Sequence, residues 1–454
     1  MNTSPLAHLQ KQLRSLHPRT RRLHLNSLTS LVSKSGSMLV SVWLVPLTMH
    51  YLTPATYGTW VTISAMSTLL TFLDLGIGNG LRNQLTQVVA RPDPALARQL
   101  VSTAYALFGV LQAAFVASLL LLARYVPWAQ VLNSSLDMHH LRRVVLIVAV
   151  AMAFKLVLDL LSSVLLALQA AGWVNFINFL SNGLVGLGTY GLSRFSPPRL
   201  EYLALVVAGS PLLVLGITSG LLYGRRLAAY RPSLAHIRFQ QAGRLLSLGY
   251  AFFVIQLAYL VVFYTDNLLI NHFFGPTAVA AYTTAFRYFS LASTLFGLVM
   301  VPYWSAFTQA FTQGDVAWMR QTHRLMYRLW AGLVGLVVLM VVLAQPVYHA
   351  WVGEAIQIPL GVSISLGVLV VVTGWNLIAS TIINSAGKLR LQLSYALGGL
   401  LTNIPLAFLL AKTLGMGSAG VVMASVVSLS WGAVLGPLQA RRLINGTARG
   451  IWGR

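Results

Sequence analysis

His50-Tyr51-Leu52-Thr53-Pro54 returns as His272-Phe273-Phe274-Gly275-Pro276, 222 residues later, and each copy lies between apolar runs long enough to cross a membrane. An aromatic restart follows each copy, Tyr57-Gly58-Thr59-Trp60 in the first and Tyr282-Thr283-Thr284-Ala285 in the second. A second echo keeps the same order: Ala171-Gly172 closes a long apolar segment, as Ala386-Gly387 does 215 positions on. Repetition at about half the chain length is what transporters built from two related bundles show.

Composition sets the class around this repeat. Of the 454 residues 57% are hydrophobic and only 9% charged, with a mean hydropathy of +0.73. A soluble domain carries about a quarter charged residues, so this chain cannot cover a water-facing surface. It reads as an integral membrane protein. Cysteine is absent, which excludes disulfides, thiolate metal sites and cysteine nucleophiles. The first segment carries Lys11, Arg14, Arg19, Arg21 and Arg22 before any apolar run, too long and too basic for a cleaved signal peptide.

A membrane helix needs about 20 mostly apolar residues. That ruler gives twelve segments, roughly 28–52, 57–81, 100–123, 144–168, 173–193, 201–223, 245–272, 278–307, 326–348, 358–384, 390–412 and 417–438. Lys155 and Asp159 interrupt the fourth. The runs are continuous rather than alternating, which disfavours a barrel, and helices then satisfy the backbone in lipid. The expectation is an all-α polytopic membrane protein of about twelve transmembrane helices.

The formal charge of +23 resembles a nucleic-acid signal until the cations are placed on this map. With the N-terminus inside, 22 of the 31 Lys and Arg fall in inner segments, six in outer ones and three within spans. That is the positive-inside pattern. It predicts a membrane protein with both termini cytoplasmic, whose partner is the bilayer and not nucleic acid. Six spans per half is even, so the halves share one orientation and form a parallel repeat. The expected organisation is a cytoplasmic basic tail at 1–27, a six-helix bundle at 28–223, a cytoplasmic linker at 224–244, a second six-helix bundle at 245–438 and a cytoplasmic tail at 439–454.

Four stretches resemble a known family. Phe72–Leu85 (FLDLGIGNGLRNQL) is similar to the end of the second helix in Wzx-type polysaccharide and O-antigen flippases. These belong to the multidrug/oligosaccharidyl-lipid/polysaccharide (MOP) exporter superfamily. Thr265–Tyr288, Asn384–Leu391 and Leu414–Ser428 fit the same pattern, in order and over nearly the whole chain. The resemblance implies a MATE-like fold and translocation of a polyprenyl-diphosphate-linked oligosaccharide from the inner to the outer leaflet by alternating access. It also implies a partner in the polysaccharide polymerase machinery and coupling to H⁺ or Na⁺. No enzymatic role, catalytic residue, metal site or bound cofactor is expected.

Such a cargo has a head that cannot cross hydrocarbon unaided, because buried charge and unpaired hydroxyls are costly. Intramembrane ionisable residues are therefore the candidate site. The cations Lys34, Arg287 and Lys155, with Arg82 at the inner end of span two, are candidates for the diphosphate. The acids Asp74, Asp266 and Asp159 are candidates for coupling or gating. Competing readings stand beside these. Lys155 and Asp159 lie four apart on one helix face and can neutralise each other. Asp266 and Arg287 lie at similar depth on consecutive helices and can pair. Trp43, Trp60, Trp304 and Trp375 can stack on sugar or anchor helices at the interface, and Asn376, Asn384 and Asn403 can bind sugar or neighbouring helices. The alternatives in function are a cation-coupled drug or metabolite antiporter of the same superfamily and a membrane polysaccharide polymerase or ligase.

Overall fold

The computed structural model describes residues 18–52, 54–91, 93–132, 136–352 and 357–453. Lys11 and Arg14 lie outside the described residues, as do the side chains of Arg19, Arg21 and Arg22. Among the described residues every regular element is helical. The chain divides into two compact units, residues 1–250 and 251–454.

The first unit runs through α1 (Pro18–Tyr51), α2 (Pro54–Leu70), a 3₁₀ turn (Thr71–Asp74) and α3 (Ile77–Ala90). It continues through α4 (Pro94–Leu122), α5 (Trp128–Val131), α6 (Met138–Leu158), α7 (Leu160–Ala167), α8 (Ala171–Phe195) and α9 (Leu200–Gly224). The start of α10 (Phe239–Phe274) completes it. The second unit holds the rest of α10 with α11 (Pro276–Gln313), α12 (Val316–Val342), α13 (Ala344–Val352), α14 (Leu360–Ala386), α15 (Arg390–Phe408) and α16 (Ser418–Ile444). A π-helical turn, Leu409–Thr413, follows Pro405 at the end of α15.

All twelve expected segments fall on helices. Nine helices among the described residues are long and apolar enough to cross a membrane. Their outer faces are apolar, with Val110, Leu121, Val342 and Leu401 all about 70% exposed, a surface that water would not tolerate but lipid covers. Acidic residues stand at several helix starts, where they complement the free N–H groups and the dipole. Asp93 accepts from Leu96 N, Asp137 from His139 N and His140 N, and Asp315 from Trp318 N. At the other end of a helix, Gly387 takes the left-handed conformation (φ 68°) and stops α14, a role that glycine fills without a Cβ penalty.

Two positions depart from continuous spans. Span two, expected at 57–81, extends from Pro54 to Ala90 and is broken midway by the 3₁₀ turn and by Leu75 (φ 48°) and Gly76 (φ 71°). A left-handed non-glycine residue costs about 1–2 kcal/mol, so surrounding packing must hold it. Span four breaks at Asp159, between α6 and α7. Unwound backbone at membrane depth survives only where it is buried in protein or lines a cavity.

Packing in the first unit explains where these breaks sit. One apolar core gathers Ile77, Leu81, Leu85, Leu161 and Leu245; the other gathers Tyr51, Trp60, Ile63, Leu141 and Leu203. Along span four, Leu141 to Val148 serve the second core and Leu156 to Leu165 the first. The break in span two and Lys155 fall at the changeover, and the break at Asp159 lies one turn inside the first core. Residues 225–238, expected as a linker, are tied to α4: Arg238 N donates to Thr103 Oγ1 at 3.0 Å and Ser233 N to Ser102 Oγ at 3.0 Å.

Candidate functional site

Trp60, Ser64, Ser67 and Thr71 follow one another at helical spacing along span two, so they share a face. That face meets Lys155 and Met152 of α6 and Pro211 of α9 around a cavity of about 270 Å³. The cavity lies at the waist of the first unit, where the two apolar cores give way to each other. Its polar groups are one ammonium, three hydroxyls and one indole-bearing wall. Ser67 Oγ donates to Ile63 O at 2.9 Å, which fixes its rotamer and leaves its lone pairs toward a ligand.

Two acids of this unit, Asp74 and Asp159, stand at the two helix breaks. Asp74 Oδ1 accepts from Gly78 N at 3.1 Å, which caps α3 just beyond the left-handed turn. Asp159 Oδ1 accepts from Ser162 Oγ at 2.6 Å and lies close enough to Asp74 for their charges to interact. A Cβ on Gly78 would lie 2.8 Å from Ser163 Oγ and 3.4 Å from Asp74. The 3₁₀ turn, α3 and α7 therefore meet without space for a side chain at that position. The neutralising pair between Lys155 and Asp159 does not form: neither makes an ion pair among the described residues. Lys155 faces the cavity, and Asp159 turns to the break.

The remaining cations are placed differently. Lys34 is exposed on α1. Arg82 is only 5% exposed, inside α3. Arg287 is exposed on α11.

In the second unit Asp266 is fully buried on α10. Ser425 Oγ of α16 donates to its Oδ1 at 2.9 Å and accepts from Asn403 Nδ2 of α15 at 3.0 Å. Asn403 Oδ1 in turn accepts from Thr265 Oγ1 at 3.5 Å. Oδ2 of Asp266 has no hydrogen-bond partner. Arg287, the partner considered from the sequence, makes no ion pair with it. Asp266 thus ties three helices together through neutral groups and lacks a protein cation. Asn376 does similar work, donating to Leu429 O at 3.0 Å across α14 and α16.

A second cavity, of about 360 Å³, has a different chemistry. Tyr259, Phe286, Phe289 and Phe296 form its aromatic side, with leucines of α14 opposite and Ser290, Ser293 and Thr373 as its aliphatic hydroxyls. Trp304 stacks on Phe252 at 5.2 Å and Trp375 between Tyr327 and Trp330 at 4.9 and 4.8 Å, while Trp43 lies 6.2 Å from Tyr190. Of the four tryptophans weighed for sugar, Trp60 borders the hydroxyl-bearing cavity.

Sequence reasoning singled out Lys155 but not Ser64, Ser67 and Thr71. Their 64-67-71 spacing was the available signal. Hydroxyl residues in membrane helices usually bond back to their own helix, as Ser67 does, and so carried little weight alone. Ser425 gave no signal, because it meets Asp266 only after 159 residues of chain.

The whole chain aligns with solved transporter structures. An outward-facing MATE-family multidrug resistance transporter of the MOP superfamily aligns with a TM-score of 0.80 at 15% identity, over 97% of this chain and 98% of that one. A mutant of the Vibrio cholerae MATE transporter VcmN gives 0.78 at 15% identity, over 96% and 99%. This is a MATE-like fold. A MOP-superfamily transporter from Pyrococcus furiosus, described by the reverse polarity of its binding pocket, shares it with a TM-score of 0.77 at 15% identity, over 97% and 98%. No family model and no curated protein matches the sequence. The MATE-like fold makes this a multi-pass membrane protein, and it leaves the cargo to the side chains.

Proposed function

We propose that the protein is a flippase that moves a polyprenyl-diphosphate-linked oligosaccharide from the inner to the outer leaflet of a bacterial cytoplasmic membrane by alternating access. The observation that carries this reading is the cavity of Lys155, Ser64, Ser67, Thr71 and Trp60. A phosphate needs a cation, which Lys155 supplies. A sugar needs hydroxyl partners and an apolar ring face. Both needs are met in one volume that a single head-group segment would fill. Lys34, exposed on α1, is a further cation for the diphosphate in the first unit, and Arg82 joins only in a state that opens its buried surroundings; Arg287, exposed on α11, is the corresponding candidate of the second unit. The charge asymmetry of the loops supports cytoplasmic termini. The translocated glycan would pass to a polymerase on the far side.

Coupling falls to the acids. A buried carboxylate without a protein cation is costly unless a proton or cation neutralises it, and Asp266 fits that description. Asp74 and Asp159, at the helix breaks, are the gating pair of the first unit: a change of charge there acts on the backbone that must bend.

The aromatic cavity of Tyr259, Phe286, Phe289 and Phe296 favours a second reading, a cation-coupled antiporter of apolar drugs or metabolites. Replacement by alanine separates the two. With Lys155→Ala, surface glycan export should fall roughly 10- to 100-fold, the loss expected for one charged hydrogen bond, with protein level in the membrane unchanged. Lys34→Ala and Arg287→Ala should each reduce export as well. Export at the normal rate in all three variants, together with loss of dye efflux in Phe289→Ala, would replace the flippase by the antiporter.

A further inference from the structure

One concave surface of the second unit has no part in the reading above. Arg320 and Arg324 on α12 and Arg441 on α16 rim a cavity of about 870 Å³ floored by Tyr327 and Trp375. Arg320 and Arg324 are four residues apart, so both guanidinium groups rise from one face. None of the lining residues is acidic. Arg320 Nε donates to Asn445 Oδ1 at 3.1 Å, which leaves its remaining N–H groups to a ligand. His323 lines the same cavity, and its buried Nε2 has no hydrogen-bond partner.

The groups are layered by depth. Arg320 stands near the start of α12 and Arg441 in the last turn of α16. Tyr327 lies about 10 Å further along α12, by the rise of 1.5 Å per residue. There the rings run His323–Tyr327–Trp375–Trp330 at centroid spacings of 4.7, 4.9 and 4.8 Å. Beside them Val434 and Leu438 of α16 give an apolar wall. A cationic rim, an aromatic belt and an apolar wall match the head, interface and chain of an anionic lipid. The cavity volume lies in the range of built ligand sites.

We propose that this cavity binds the phosphate head of an anionic phospholipid from the leaflet at that end of the helices, the inner leaflet if the charge asymmetry sets the orientation. The ligand chemistry is a phosphate ester on a hydrocarbon chain. The lipid holds α12, α14 and α16 together at their shared end. A diphosphate-linked cargo shares that chemistry, so the test must separate the two.

The full-length protein in phosphatidylcholine nanodiscs is titrated with brominated phosphatidylglycerol, and tryptophan quenching is read against brominated phosphatidylcholine. The anionic lipid should quench more deeply, with half-saturation that weakens in 0.5 M salt. Arg324→Gln with Arg441→Gln should weaken it roughly 10- to 30-fold. Both side chains are exposed, so the fold should persist, and the corresponding double lysine variant should recover most of the affinity. Equal quenching by the two lipids, or no change in the glutamine variant, would overturn the proposal. Displacement by undecaprenyl diphosphate far below the concentration of unlabelled phosphatidylglycerol that is needed would reassign the cavity to cargo. Displacement by inorganic pyrophosphate alone would make it a free-anion site, and the lipid assignment would fail.

Discussion

Gly80→Leu should remove the protein from the membrane, and Gly80→Ala should lower its melting temperature sharply in detergent. A Cβ on Gly80 would lie 2.9 Å from Leu245 O and 3.4 Å from Gly249 N. The obstacle is backbone of α10, which cannot rotate away as a side chain would. The contact is reciprocal. A Cβ on Gly249 would lie 3.2 Å from the carbonyl of Gly76, the left-handed residue at the break in span two. α3 and the start of α10 therefore touch backbone to backbone, as small residues allow between membrane helices. Leu245 and Leu81, both fully buried, fill the space beside the crossing. Overpacking of this kind costs about 1–3 kcal/mol for one added group, and a leucine adds several. Gly249→Ala meets atoms at 3.2–3.3 Å and should cost less than Gly80→Ala. Gly109→Ala is the internal control. Nothing lies within 4 Å of its Cβ, and alanine should stabilise α4 by up to about 1 kcal/mol. Thermal scanning of the three alanine variants in one detergent gives the order directly. If Gly80→Ala melts with the wild type, the close crossing is not present in the protein.

The fold was legible because lipid makes demands that composition records. Twelve apolar runs fall on helices since nothing else satisfies the backbone in hydrocarbon, and the strings at His50 and His272 each lie where one helix gives way to the next. Span two was harder. The sequence shows Asp74 and the Gly76-Gly78-Gly80 run, but the left-handed Gly76 packs against Gly249, far along the chain. The site was legible only in its charges. Rarity makes a charge in a span conspicuous, whereas the hydroxyls around Lys155 look like any others until α2, α6 and α9 come together. Charge spacing misled about partners. Lys155 and Asp159 share a face by count, yet Asp159 accepts from Ser162 while Lys155 lines the cavity, and the pair does not close among the described residues.

Asp266→Asn should leave the protein folded and abolish the dependence of transport on the ion gradient. The carboxylate is fully buried and accepts from the Ser425 hydroxyl at 2.9 Å. Asparagine is isosteric and keeps an oxygen for that hydroxyl, so the bond through Ser425 to Asn403 survives. What it cannot do is change charge. If a proton or cation at Asp266 biases one conformation, the asparagine variant stays permanently in the neutral condition. A bias of 1.4 kcal/mol between the two states is a tenfold change in their ratio. Transport into proteoliposomes should then be equally slow with and without an imposed proton or sodium gradient. Asp266→Leu tests the structural half of the argument. It removes the acceptor from Ser425 and leaves a buried hydroxyl unsatisfied, a loss of about 1–3 kcal/mol, so its melting temperature should fall where that of Asp266→Asn does not. Ser425→Ala should behave as a milder version of the leucine variant and retain gradient dependence, because the carboxylate is still there. Gradient-dependent transport in a well-folded Asp266→Asn would move coupling to the acids at the helix breaks, and Asp74→Asn and Asp159→Asn would then be expected to abolish it.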